Sequence, residues 1–160
     1  NLADGYDMEG AFEPHDKRGD VDAAGSMDTT IADQARMWAG ILAGEGLSPE
    51  SRAELVRPQL PIFTAHQFPS LITETDSRAP EVKLSAGLGL VTFDAGTGLS
   101  WFKGGHDDWT GNFAICQEIT RHCVVLMSNS VRAELIYPEL VNFILPDNGM
   151  PWWWEYHHAE

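Results

Sequence analysis

The chain has 160 residues, 43% of them hydrophobic and 21% charged, with a net charge of −14. That length suits one core and the composition is that of an ordinary globular protein. So negative a chain argues against nucleic acid and anionic membrane surfaces as partners, and no stretch approaches the roughly 18 apolar residues of a membrane-crossing helix.

The sequence starts at Asn1 with no basic or apolar leader, which is compatible with processing, trimming or excision. Residues 1–28 show no period of 2 or 3.6 and read as an irregular segment that can lie on a larger body. Within it, the charge run Glu13-Pro14-His15-Asp16-Lys17-Arg18 reads as a solvated loop. Residues 29–57 read as helices. Thr30 can cap the first, with Asp33 near its positive end, and Ile31, Ala35, Trp38 and Leu42 share one helical face. Gly44 and Gly46 end it. Ser48-Pro49-Glu50 then opens a second short helix that stops near Val56, before Pro58 and Pro61.

Residues 58–82, interrupted by Pro61, Pro69 and Pro80, read as a long loop, a feature often tied to function or to packing on something else. Residues 83–129 read as antiparallel strands over Lys83–Phe93, Leu99–Lys103, Asn112–Glu118 and His122–Ser128. Their short connections predict a meander of about four strands. Residues 130–145 form a helix, with Ala133, Ile136, Leu140, Val141 and Ile144 on one face and a kink or restart at Pro138. Residues 146–160 are a tail. Helices, then sheet, then helix is an α+β order.

The run Lys103-Gly104-Gly105-His106 ends an apolar strand. Paired glycines there let another group approach the backbone, and the N–H groups of Gly105 and His106 could face a ligand beside a fixed cation, as an oxyanion site requires. A glycine-rich bulge beside an exposed lysine fits the same spacing. Ser100-Trp101-Phe102-Lys103 matches S-x-x-K, but in a strand residues three apart point to opposite faces, so the match is accidental. His106-Asp107-Asp108 with His15, His122, His157 or His158 lacks metal-site spacing and reads as surface polarity, with Asp107 and Asp108 as a pocket lip. Cys116 and Cys123 flank a tight turn. Free buried thiols are the first expectation, and a cross-strand disulfide stays open. Three adjacent tryptophans in Pro151-Trp152-Trp153-Trp154-Glu155-Tyr156 cannot share one face, and the segment reads as a strap over the body or over a missing half.

Taken together, Lys103-Gly104-Gly105, Thr110-Gly111-Asn112-Phe113 and the strand Val124–Asn129, followed by a C-terminal helix, resemble the C-terminal part of the serine β-lactamase and penicillin-binding-protein family. The resemblance is narrower to its class C-like branch of serine hydrolases, which includes esterases and D-aminopeptidases. Ala24-Gly25-Ser26-Met27-Asp28-Thr29-Thr30-Ile31-Ala32-Asp33-Gln34-Ala35, Leu47-Ser48-Pro49-Glu50-Ser51 and Gly87-Leu88-Gly89-Leu90 are similar to family segments in the same order. The ordered set over residues 24–145, not any one piece, carries the likeness.

The resemblance implies one half of a β-lactamase/transpeptidase-like catalytic domain, because such domains are about twice this size. It implies hydrolysis of ester or amide substrates, β-lactams or D-amino peptides included, through an acyl-enzyme and without a cofactor or metal. Lys103 would supply positive potential and the His106 backbone N–H would be an oxyanion donor. Gly104, Gly105, Asp107 and Asp108 would line the substrate. Gly104 stands where lactamases carry Thr or Ser, which favours ester or peptide substrates. No helical S-x-x-K and no Y-x-N is present, since Tyr6, Tyr137 and Tyr156 lack the asparagine. The nucleophile is therefore expected upstream of Asn1 or not at all, and this chain alone is expected to be inactive. Its partner would be the missing N-terminal half or a second copy. The alternative is a non-catalytic relative or binding module that keeps only the pocket rim.

Overall fold

The structure, a computed structural model, describes residues 2–15, 23, 25–68 and 71–156. Asp16, Lys17 and Arg18 of the charge run, Ala24, Pro69, and the tail histidines His157 and His158 lie outside the described residues. The fold is α+β with antiparallel sheets.

Helix α1 runs Ile31–Ala43 and helix α2 runs Pro49–Val56. Both start where their caps place them. The Thr30 side chain accepts the Asp33 N–H at 3.2 Å and the Ser48 hydroxyl accepts the Ser51 N–H at 3.1 Å, each contributing about 1 kcal/mol. Gly44, at φ 82°, closes α1 in a left-handed turn that a side chain would strain.

The expected four strands are six. In chain order they are β3 (Leu60–Pro61), β4 (Ser85–Ala86), β5 (Val91–Phe93), β6 (Ser100–His106), β7 (Gly111–Gln117) and β8 (His122–Ser128), each antiparallel to its neighbours in sequence. Residues 83–93 do not form one strand. They fold back between β4 and β5, with Gly89 at φ 81°. β3 and a one-turn helix α3 (Arg78–Glu81) emerge from the expected loop, and a small hairpin, β1 (Gly5–Tyr6) with β2 (Phe12–Glu13), from the expected irregular segment. The C-terminal helix restarts at its proline: a 3-10 turn over Val131–Ile136 gives way to α4 (Tyr137–Ile144), where Pro138 occupies the first turn and needs no N–H partner.

Alternation divides the sheet into two faces. Phe102, Phe113, Ile115 and Val124 pack with Phe93, Tyr137, Val141 and Trp154. On the other face Trp101, Ala114 and Cys116 pack under Trp38 and Leu42 of α1. Arg52 of α2 ties α1 to the β7–β8 turn, donating to the Ile41 and Leu42 carbonyls and to Glu118. Two helical faces depart from expectation. Only Trp38 and Leu42 of the α1 stripe are buried, while Ile31 and Ala35 are exposed beside a groove of about 280 Å3. On α4 the buried side is Tyr137, Val141 and Leu145, and Ile136, Leu140 and Ile144 face outward, because the 3-10 turn rotates the register. No helix among the described residues is long and apolar enough to cross a membrane.

Cys116 and Cys123 are bonded to each other, and neither is a free thiol. They are register partners with Cα atoms 4.1 Å apart, close to the short spacing of non-hydrogen-bonded pairs, where opposed side chains come nearest. Replacing both cysteines by alanine is expected to lower the unfolding free energy by about 2 kcal/mol, the value for so short a loop. Denaturant midpoints of the oxidised protein and the variant measure this, and equal midpoints would refute a stabilising bond.

Candidate functional site

The last four residues of β6 outrun their neighbour. β5 pairs only with Ser100, Trp101 and Phe102, whereas β7 pairs with β6 as far as His106. One edge of Lys103–His106 is therefore uncovered. Hydrogen-bonding direction alternates along a strand. The Gly105 N–H is turned toward β7, so the N–H groups of Gly104 and His106 point to the open edge. The Lys103 ammonium folds back to donate to the Gly104 carbonyl on that edge. A cation and an outward amide thus stand side by side.

The side chains of this run divide between the faces. Lys103 lies on the α1 face. His106 lies on the α4 face, where its Nδ1 meets Glu134 Oε1 at 2.9 Å. Glu134, carried by the 3-10 turn, is buried, and burial pushes its carboxyl above the usual range while His106 pulls it back. Tyr137, one 3-10 turn further on, donates to the Gly111 carbonyl at 2.7 Å. Burial, with Glu134 adding to it, pushes the Tyr137 phenol up to about 12. Phe68 and Tyr156 flank the imidazole at ring-centre distances of 6.3 and 5.6 Å.

The aromatic tail straps the body, as its composition predicts. Trp154 packs edge-on to Phe102, and its Nε1 donates to the Thr64 hydroxyl at 3.0 Å. Trp152 lies 4.8 Å from Phe113, and Trp153 receives the Arg78 guanidinium 4.5 Å from its ring centre. The strap ends on the glycine run. Tyr156 donates to the Asn112 carbonyl at 2.5 Å and accepts the Gly105 N–H at 3.1 Å. Gly105 and Asn112 are register partners, so the phenol bonds to both members of one β6–β7 pair.

Glu155 lies over Gly104, 2% exposed, and its Oε2 has no hydrogen-bond partner among the described residues. A Cβ on Gly104 would stand 1.8 Å from Glu155 Oε1 and 2.8 Å from the Tyr156 hydroxyl. Burial pushes the Glu155 carboxyl up to about 7, against the pull of Lys103 and His106 and with Glu134 adding to the rise.

Of the residues singled out in the sequence, Lys103, Gly104, Gly105 and His106 share this edge. Asp107 sits at the start of the β6–β7 turn. Its Oδ1 accepts from the Trp109 N–H, the Thr110 N–H and the Thr110 hydroxyl at 3.0, 2.6 and 2.9 Å, which closes the β6–β7 turn. Asp108 is exposed on that turn. Glu134, Tyr137, Glu155 and Tyr156 were not singled out as site residues. The signals were a lone carboxylate inside an aromatic run, and Glu134 three residues before Tyr137 on one helical face. A groove of about 560 Å3, lined by Phe63, Phe68, Ile72 and Trp154 with Thr64 and Gln67, lies beside the strap. Chemically, the edge can hold an anion or polarise a carbonyl, and the imidazole is held in a fixed orientation.

Tyr137→Phe would remove the phenol's hydrogen bond to the buried Gly111 carbonyl, at a cost of about 1 kcal/mol. A urea midpoint shows the loss, and an unchanged midpoint would mean that the bond adds nothing.

No protein-family model, no curated protein and no solved structure matches this chain.

Proposed function

We propose that this chain is the C-terminal half of a β-lactamase-like serine hydrolase, with the Lys103–His106 edge as the rim of its acyl-transfer site. The observation that carries the reading is the uncovered end of β6, where the His106 N–H points outward beside the Lys103 ammonium. A carbonyl oxygen placed against that N–H would be polarised as negative charge develops on it, and the ammonium adds positive potential. The attacking serine, its lysine partner and a tyrosine base come from outside this chain. The serine forms an ester with the acyl group, and water then releases the acid. Gly104 carries no hydroxyl to hold a substrate carboxylate, which favours esters or peptides over β-lactams.

The exposed half of the α1 stripe, with Ile31 and Ala35, and the outward side of α4, with Ile136, Leu140 and Phe143, are the surfaces on which the other half would pack. A second reading is a binding module without a nucleophile. It is favoured by the cover that Glu155 and Tyr156 place on the glycine run.

Joining the chain to its upstream coding sequence and assaying p-nitrophenyl esters against a chromogenic cephalosporin separates these readings. Ester turnover that falls at least a hundredfold in Lys103→Ala, with the fold retained, is the expected result. Faster cephalosporin turnover would overturn the substrate preference, a normal rate in the variant would overturn the role of Lys103, and an upstream frame without S-x-x-K and Y-x-N would favour the binding module. Sedimentation of the isolated chain is expected to show self-association, and a monodisperse monomer would count against the packing surfaces.

A further inference from the structure

The end of the strap is built in a way that simple packing does not require. Trp154 anchors it: the ring is buried against Phe102, its Nε1 holds Thr64, and its carbonyl accepts the Gln67 N–H at 3.0 Å. Beyond that anchor the contacts change character. Glu155 puts a carboxyl into a site that only a glycine leaves open, with one oxygen unpaired. An apolar side chain there would avoid the expense of burying a polar group. The Tyr156 hydroxyl bonds to both members of the Gly105–Asn112 pair. When that hydroxyl leaves, the Gly105 N–H and the Asn112 carbonyl can turn to each other or to water, so release strands no buried polar group.

We propose that Glu155 and Tyr156 form a latch, hinged at Trp154, which covers the α4 face of Gly104 when the Glu155 carboxyl is protonated and swings away when it is charged. This goes beyond the hydrolase reading and does not rest on it. The titratable groups that face the carboxyl are Lys103 and His106 on β6, Glu134 on the 3-10 turn and Tyr156 on the tail itself. Lys103 and His106 favour the charged form in place, while Glu134 opposes it, and burial outweighs them all. The direction follows from the shift. The docked carboxyl, raised from 4.5 to about 7, keeps its proton where a free one has lost it. Docking is therefore at full strength below pH 4.5 and weakens as pH rises to about 7, beyond which the loss is complete. A latch of this kind leaves the α4 face of Gly104 covered in mildly acidic surroundings and open in neutral or alkaline ones.

Chymotryptic cleavage after Tyr156, located by mass spectrometry, reads the open form. The rate in the unmodified chain, divided by that in Glu155→Gln at the same pH, cancels the pH dependence of the protease. The neutral amide keeps the latch shut throughout. The ratio is expected to rise on the order of tenfold between about pH 5 and about pH 8, and a flat ratio overturns the proposal. Gly104→Ala, whose Cβ would take the place of the carboxyl oxygen, is expected to be cut fast after Tyr156 at every pH, with the chain before Trp152 left whole. Cleavage as slow as in the unmodified chain at about pH 5 would mean that the glycine seat does not hold the latch, and would also overturn the proposal.

Discussion

The structure depends on the pairing of β6 with β7. Seven consecutive residues of one strand face seven of the other, and both protein cores hang from that ribbon. Phe102, Phe113 and Ile115 fill one side, and Trp101, Ala114 and Cys116 the other. Each fully buried aromatic or aliphatic side chain adds about 1.5–3 kcal/mol. A two-stranded ribbon in water is marginal by itself, and here it is covered on both faces. Helix α1 lies over β7 and β8, and the 3-10 turn and α4 lie behind β7 and β8.

The candidate site is where that covering stops. β5 is too short to follow β6 to its end, and the residues beyond it are two glycines flanked by a lysine and a histidine. Small residues at the end of a buried ribbon give room on both faces. One face is filled by the tail carboxyl of Glu155 and the phenol of Tyr156. The open edge keeps its amide direction because the interior of the ribbon does not allow β6 to rotate. Charge and burial meet at one spot, where three ionisable side chains, His106, Glu134 and Glu155, surround a backbone that offers no side chain to separate them.

Elements that rest on local chemistry were legible in the sequence. Thr30 and Ser48 start their helices, Gly44 ends one, β7 and β8 lie within one residue of where alternation and turn residues put them, and β6 runs three residues past its expected end at Lys103. Pro138 marks the restart of the last helix. What was not legible depends on partners distant in the chain. β3 and β4 are two residues each and exist only because β5 offers them an edge. The outward turn of Ile136, Leu140 and Ile144 comes from a 3-10 segment that shifts the helical register. Lys103 to His106 were visible as a glycine-rich strand end. The side chains that surround them arrive from residues 28 and more positions away, so spacing could not reveal them.

Asp107 closes the β6–β7 turn, with a consequence for the whole edge. Four residues, Asp107 to Thr110, separate the paired positions His106 and Gly111. The carboxylate holds that count by gripping both ends of the turn. An insertion or deletion of one residue there would shift the pairing by one step and reverse the parity of β6. The His106 amide would then point into the sheet and the Gly105 amide out of it. The direction of the His106 amide is therefore set by the length of the turn that Asp107 closes.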